Sequence, residues 1–79
     1  MLRTYLDHNA DILRISKDGA RKTQLVYGSN INFKLLKLRL AQLIETGLLM
    51  QNGKYYTTTP KGEEFLYHFQ EMRSLIPIG

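Results

Sequence analysis

The side chains of this chain that could do chemistry are mostly spaced against it. His8 and His68 lie about sixty positions apart, with no HxxxH or HxH spacing, and there is no cysteine. A zinc site needs three or four such ligands brought together, so no metal site is in view. Thiolate nucleophiles and disulfide staples are excluded with the cysteines. Asp11, Glu63 and Glu64 form no convincing acid–base pair. Ser16, Ser29 and Ser74 lack the glycine-flanked turn that exposes a nucleophilic serine. No glycine-rich phosphate loop is present. Catalysis also needs a concave, buried site, and 79 residues leave little room for one. The sequence points away from an enzyme and asks for no metal or cofactor.

What remains is cations. Eleven basic and seven acidic residues give a net charge of +4. Eight of the bases fall between Lys17 and Lys61: Lys17, Arg21, Lys22, Lys34, Lys37, Arg39, Lys54 and Lys61. Only Asp18 and Glu45 oppose them there, while the two ends together are acidic. A basic centre between less basic ends is the electrostatic footprint of a polyanion-binding surface; the competing reading is a generic basic surface.

Elements must hold those cations in place. Tyr5 to Lys17 carries Leu6, Ala10 and Leu13 at helical spacing, with Ile12 and Ile15 alongside, and Asp18-Gly19 stops it. Ala20-Arg21 is too short to assign and is compatible with a one- or two-residue bridge. Lys22 to Tyr27 predicts a short helix that Thr23 could cap. Gly28-Ser29-Asn30 predicts a tight turn, with Gly28 free to take positive φ. Asn32 to Thr46 is the clearest helix: Asn32 caps it, Leu36, Leu40 and Leu43 form one arc, and Phe33 and Ile44 border that arc. Lys34, Lys37, Leu38, Ala41 and Glu45 fall on the other side, and Gly47 sits where a C-terminal glycine belongs.

Leu48 to Gln51 and Lys54 to Thr58 then bracket Asn52-Gly53, a pair that favours a two-residue type I′ hairpin. Thr59-Pro60 opens the last helix, with Thr59 as cap and Pro60 at the first helical position, and Glu63 and Glu64 stand near its positive end. Leu66 is expected to face the core. Phe65, Phe69, Met72 and Ile76 are spaced four, three, four, the spacing of a coiled-coil seam, and Pro77 ends it. A three-helix core of this size cannot cover all four, and an uncovered aromatic stripe is costly in water. These four residues are therefore the expected homodimer interface, with ordinary core as the alternative.

The order is helix, short helix, turn, amphipathic helix, hairpin, helix. Lys22 to Thr46 fits a helix-turn-helix, whose second helix enters the DNA major groove, and a hairpin directly after that helix makes it winged. The expected fold is α+β, mostly α. It has a three-helix core, a β-hairpin wing and a C-terminal helix over residues 60–76, all in a single domain spanning 1–79. Lys34 and Lys37 are then placed for phosphate or guanine O6 and N7. Leu38 and Ala41 share their face, where a thymine methyl competes with simple exposure or a subunit contact. Asn32 is first a cap, with a phosphate or adenine contact as the second reading. Arg21, Lys22 and Thr23 open the short helix, where amides and cations suit a phosphate. Lys54, after the wing turn, is expected on phosphate or in the minor groove. Tyr55 and Tyr56 point to opposite faces of their strand, with packing the preferred reading for both.

The stretches ADILRISKDGARKTQLVYGSNINFKLLKLRLAQLIETGLL and GKYYTTTPKGEEFL carry a further signal. With their helix-Gly-Leu-Leu junction, Gly-Lys-Tyr wing and Thr-Pro-Lys-Gly start, they resemble the small archaeal winged-helix DNA-binding proteins. These dimerise through a C-terminal helix in an antiparallel coiled coil, and the resemblance runs from Tyr5 to Leu75. It implies double-stranded DNA as partner, a homodimer, and a role as transcriptional regulator or chromatin-type protein in the cytoplasm, on the nucleoid. No apolar run reaches the roughly 18 residues of a membrane span, and no secretory signal is visible from Met1 to Ala10, so no membrane partner is expected. The rival function is a protein-interaction module, for which Leu35 and Leu38 would be the exposed contacts.

Overall fold

The computed structural model describes residues 5–75. Its elements are α1 (Tyr5–Ile15), α2 (Lys22–Ser29), α3 (Phe33–Glu45), β1 (Leu49–Asn52), β2 (Tyr55–Thr58) and α4 (Pro60–Leu75), with one 3-10 turn at Ser16–Asp18. The architecture is the α+β winged helix-turn-helix expected from the sequence: a three-helix core, the β1–β2 hairpin as wing, and a C-terminal helix.

The core forms where the apolar periodicities meet. Ala10, Ile12 and Leu13 of α1, Leu25 of α2, and Leu36, Leu40 and Leu43 of α3 are all buried, joined by Leu49, Tyr56, Leu66 and Phe69. Each fully buried leucine or isoleucine contributes about 1.5–3 kcal/mol. Leu6 begins the α1 stripe in sequence, yet it is exposed. Leu35 is half-buried against the core rather than exposed as expected.

Helix ends follow side-chain chemistry, with two corrections. Arg21, not Thr23, is the N-cap of α2, and its backbone N–H donates to Gln24 Oε1 at 2.9 Å. Gly28 lies inside α2, and the left-handed residue is Asn30 (φ 56°), whose N–H donates to the Val26 carbonyl at 3.1 Å. The buried Ser29 hydroxyl donates back to the Leu25 carbonyl, so the helix continues past the expected break. Gly28 serves packing instead: a Cβ there would stand 2.5 Å from Ile15 Cδ1. At α3 the reading holds. Asn32 Oδ1 accepts from the Leu35 N–H at 2.7 Å. The far end closes as a Schellman motif, with Gly47 N–H to the Ile44 carbonyl and Leu48 N–H to the Leu43 carbonyl. Thr59 caps α4, its Oγ1 accepting from the Gly62 N–H at 3.1 Å.

The wing is antiparallel, with Leu49 opposite Thr58 and Asn52 opposite Tyr55. The turn is therefore Gly53-Lys54, one residue later than the expected Asn52-Gly53. Gly53 has φ 64° and Lys54 does not share a positive φ, as in a type II′ turn rather than I′. The one- or two-residue bridge with which Ala20-Arg21 was compatible is a single residue, Ala20, which exchanges both backbone bonds with Tyr56, at 2.9 and 2.8 Å. An isolated hairpin is marginal in water; this one is anchored by that bridge and by Thr58 Oγ1, which donates to the Leu13 carbonyl at 2.5 Å. Among the described residues, no helix is long and apolar enough to cross a membrane. Ile76 and Pro77 lie outside the described residues.

Candidate nucleic-acid interface

The interface is built from three mounts. The first is the start of α2, which the Ala20–Tyr56 bridge ties to the wing. The second is α3, whose buried arc turns Lys34, Lys37, Leu38 and Ala41 outward; all four are exposed, Leu38 at 51%. The third is the wing, which alternates with period 2. Leu49, Gln51, Tyr56 and Thr58 lie on the inner face, and Met50, Asn52, Tyr55 and Thr57 on the outer. Tyr56 is 4% exposed and packs, as expected for one tyrosine of the pair, but Tyr55 is 53% exposed and does not.

Two neighbouring grooves run between these mounts. Arg21, Lys22 and Thr23 form one wall of the first, and Gln51, Gly53 and Lys54 form the other, over Tyr56. The second is lined by Lys22, Lys37, Ala41 and Ile44 with Gln51 and Tyr56. Lys22, Gln51 and Tyr56 belong to both, so the grooves are continuous in their lining. No acid lines either one. Lys22 Nζ sits 5.7 Å from the centre of the Phe33 ring, a cation–π contact that fixes the ammonium at the junction.

The expected residues thus divide. Arg21, Lys22, Thr23, Lys37, Ala41 and Lys54 come together in the grooves. Lys34 and Leu38 lie along the outward face of α3, outside the groove lining, and Asn32 is committed to its cap. Lys54 stands in the wing turn itself rather than after it. Lys61, counted with the basic centre, donates to the Thr46 carbonyl at 3.0 Å and closes the corner between α3 and α4. Half-buried Arg39 donates to Gln42 at 3.0 Å. Gln51 was not singled out from the sequence. The period-2 alternation that puts Leu49 inside also puts Gln51 beside α3, and that was the signal available for it. On α4, Phe69 is buried in its own core and stacks on Phe65, with ring centres 6.1 Å apart; Met72 is 45% exposed.

Chemically, the grooves can bind an extended anion. Their cations stand on α2, α3 and the wing turn, and no acid lines either groove.

Comparison with known proteins agrees with this architecture. The crystal structure of Sso10a-2, a DNA-binding protein from Sulfolobus solfataricus, superposes with a TM-score of 0.83 at 27% identity, over 92% of this chain and 81% of that one. An uncharacterized protein of Methanocaldococcus jannaschii is 30% identical over 56 residues, which are 71% of this chain and 26% of that protein. The chain therefore spans about a quarter of that relative's length. The family described as winged helix-turn-helix matches residues 2–76, nearly the whole sequence, and the chain belongs to that family.

Proposed function

We propose that this protein binds double-stranded DNA, with α3 in the major groove and the wing on the flanking backbone. The observation that carries the proposal is the pair of continuous, acid-free grooves lined by Arg21, Lys22, Lys37 and Lys54. The likeness to Sso10a-2, itself a DNA-binding protein, supports it. In this reading Arg21, Lys22, Thr23 and Lys54 hold phosphates, Lys34 and Lys37 reach phosphates or guanine edges, and Leu38 and Ala41 meet thymine methyls. Asn32 keeps its cap and turns its remaining amide group towards the backbone.

Two copies pair along Phe65, Phe69 and Met72 of α4 together with Ile76, and so place two such surfaces on one duplex. The exposure of Met72 supports this seam; Phe69, buried within its own subunit, adds least to it. A protein of this kind works on the nucleoid, in the cytoplasm, as a transcriptional regulator or a chromatin-type protein; the two roles differ in sequence preference.

The test is a Lys34→Ala/Lys37→Ala variant titrated with duplex DNA across salt concentrations. Affinity falls, and the slope of log K against log salt flattens by about 0.9 for each phosphate that is no longer neutralised. Unchanged affinity and slope would remove α3 from the interface. The mass in solution should be that of a dimer, and Met72→Glu should shift it towards the monomer. The exposure of Leu38 favours a second reading, a protein-interaction surface. A partner that protects Leu38 while duplex DNA does not bind would select that reading.

A further inference from the structure

Cations that hold phosphates carry no sequence information, because phosphates are the same at every step. Base pairs are told apart by groups that present donors and acceptors in fixed array. Among the side chains that line both grooves, Gln51 is the one with such an array: Lys22 donates only, and Tyr56 is buried.

Gln51 is also well mounted. It lies on the inner face of β1, opposite Tyr56. Tyr56 in turn is pinned by its two backbone bonds to Ala20 at the entry to α2. Sites on such pinned strands hold geometry better than sites on loops. Across the second groove stand Lys37 and Ala41, on the side of α3 that faces the wing. The Gln51 side chain is exposed, and its Nε2 donates to the Gly53 carbonyl at 3.1 Å. Its Oε1 accepts from no described residue. Releasing one exposed hydrogen bond frees both halves of the amide.

We infer that Gln51 is a specificity-determining residue. It reads a base edge, adenine first, from the wing side of the groove that α3 occupies. The inference rests on the DNA-binding reading above. The amide chemistry is complementary: Nε2 donates to adenine N7, and Oε1 accepts from the adenine N6 amino group. The surrounding Arg21, Lys22 and Lys54 hold the backbone while this group compares bases. The wing thus contributes to sequence readout, and not only to phosphate contact at its tip.

The experiment is selection from a randomised duplex library by the full chain, its Gln51→Ala variant and its Gln51→Glu variant. The wild-type protein selects A·T at one position of its site. Gln51→Ala loses that preference by about tenfold and keeps the others, with an unchanged salt slope, because a neutral side chain releases no counterions. Gln51→Glu moves the preference at that same position towards cytosine, whose N4 amino group a carboxylate accepts. Identical selection profiles for the wild type and Gln51→Ala would overturn the inference. So would wild-type binding with no preference at any position, which leaves DNA binding itself intact. Failure of the wild type to bind any duplex is a different result and would remove the DNA reading as well.

Discussion

Two grooves of similar volume, about 300 Å³ each, treat charge in opposite ways. One separates the start of α2 from the wing and holds Arg21, Lys22 and Lys54. The other separates α1 from α4 and holds Asp7, Asp11, Arg14 and Arg73. In the second, the fold answers its own charges. Arg14 pairs with Asp11 at 2.8 Å, and Arg73 pairs with Asp7, from one helix to the other, while lying over the Phe69 ring. In the first, no described acid pairs with any of the three cations. Like charges gathered without acidic partners repel, and that repulsion works against the compact state. The fold matches its charges in the α1–α4 groove, one pair within α1 and one across to α4, and leaves the cations beside the wing without a described acid.

That contrast can be broken by removing each set in turn. The largest effect belongs to Arg21→Ala/Lys22→Ala/Lys54→Ala. Duplex affinity near 0.1 M salt should fall on the order of a hundredfold with a flatter salt slope, while thermal unfolding stays where it was or rises slightly. A loss of stability with intact binding would reverse the assignment. Next is Gly62→Ala, which tests the seat of α4. A Cβ at Gly62 would run into the Leu48 carbonyl and the Thr58 side chain. About 2–3 kcal/mol of stability should go in denaturant unfolding. Arg73→Ala removes the pair that the buried carboxylate of Asp7 makes across the helices. It should cost about 1–2 kcal/mol and leave the salt slope of any properly folded fraction unchanged. The smallest effect is Arg14→Ala. Its pair with Asp11 lies within one helix and is half open to water, so the change should stay below about 0.5 kcal/mol.

The elements legible in the sequence were those whose signals are local. Asn32 and Gly47 bound α3 by side-chain capping and by positive φ, and both act within a few residues of chain. Thr59-Pro60 fixes the start of α4 in the same way. Errors arose where distant contacts decide. The Asn52-Gly53 pair prefers its own turn, but the hairpin is registered from its base. There the Thr59 N–H donates to the Leu48 carbonyl at 3.1 Å, and Thr59 Oγ1 donates to the Gly47 carbonyl at 2.6 Å. From that base the register runs Leu49 opposite Thr58 to Asn52 opposite Tyr55, which leaves Gly53-Lys54 as the turn. Gly28 reads as a breaker until Ile15 is seen against it. For the interface, cation positions were legible because the order of elements placed them. The groove membership of Gln51 was not, since it depends on how the wing leans on α3. Leu35 looked exposed as well, yet it packs half-buried against the core.

The most direct test of the account is the affinity of the wild-type protein for a random 30-base-pair duplex, measured at several salt concentrations. Binding should show a log K that falls linearly with log salt, with a slope of about −0.9 for each phosphate neutralised. Several phosphates should be neutralised, by Arg21, Lys22, Lys34, Lys37 and Lys54. No measurable binding at low salt, where even non-specific association should show, would contradict it and leave the unmatched cations without the ligand proposed for them.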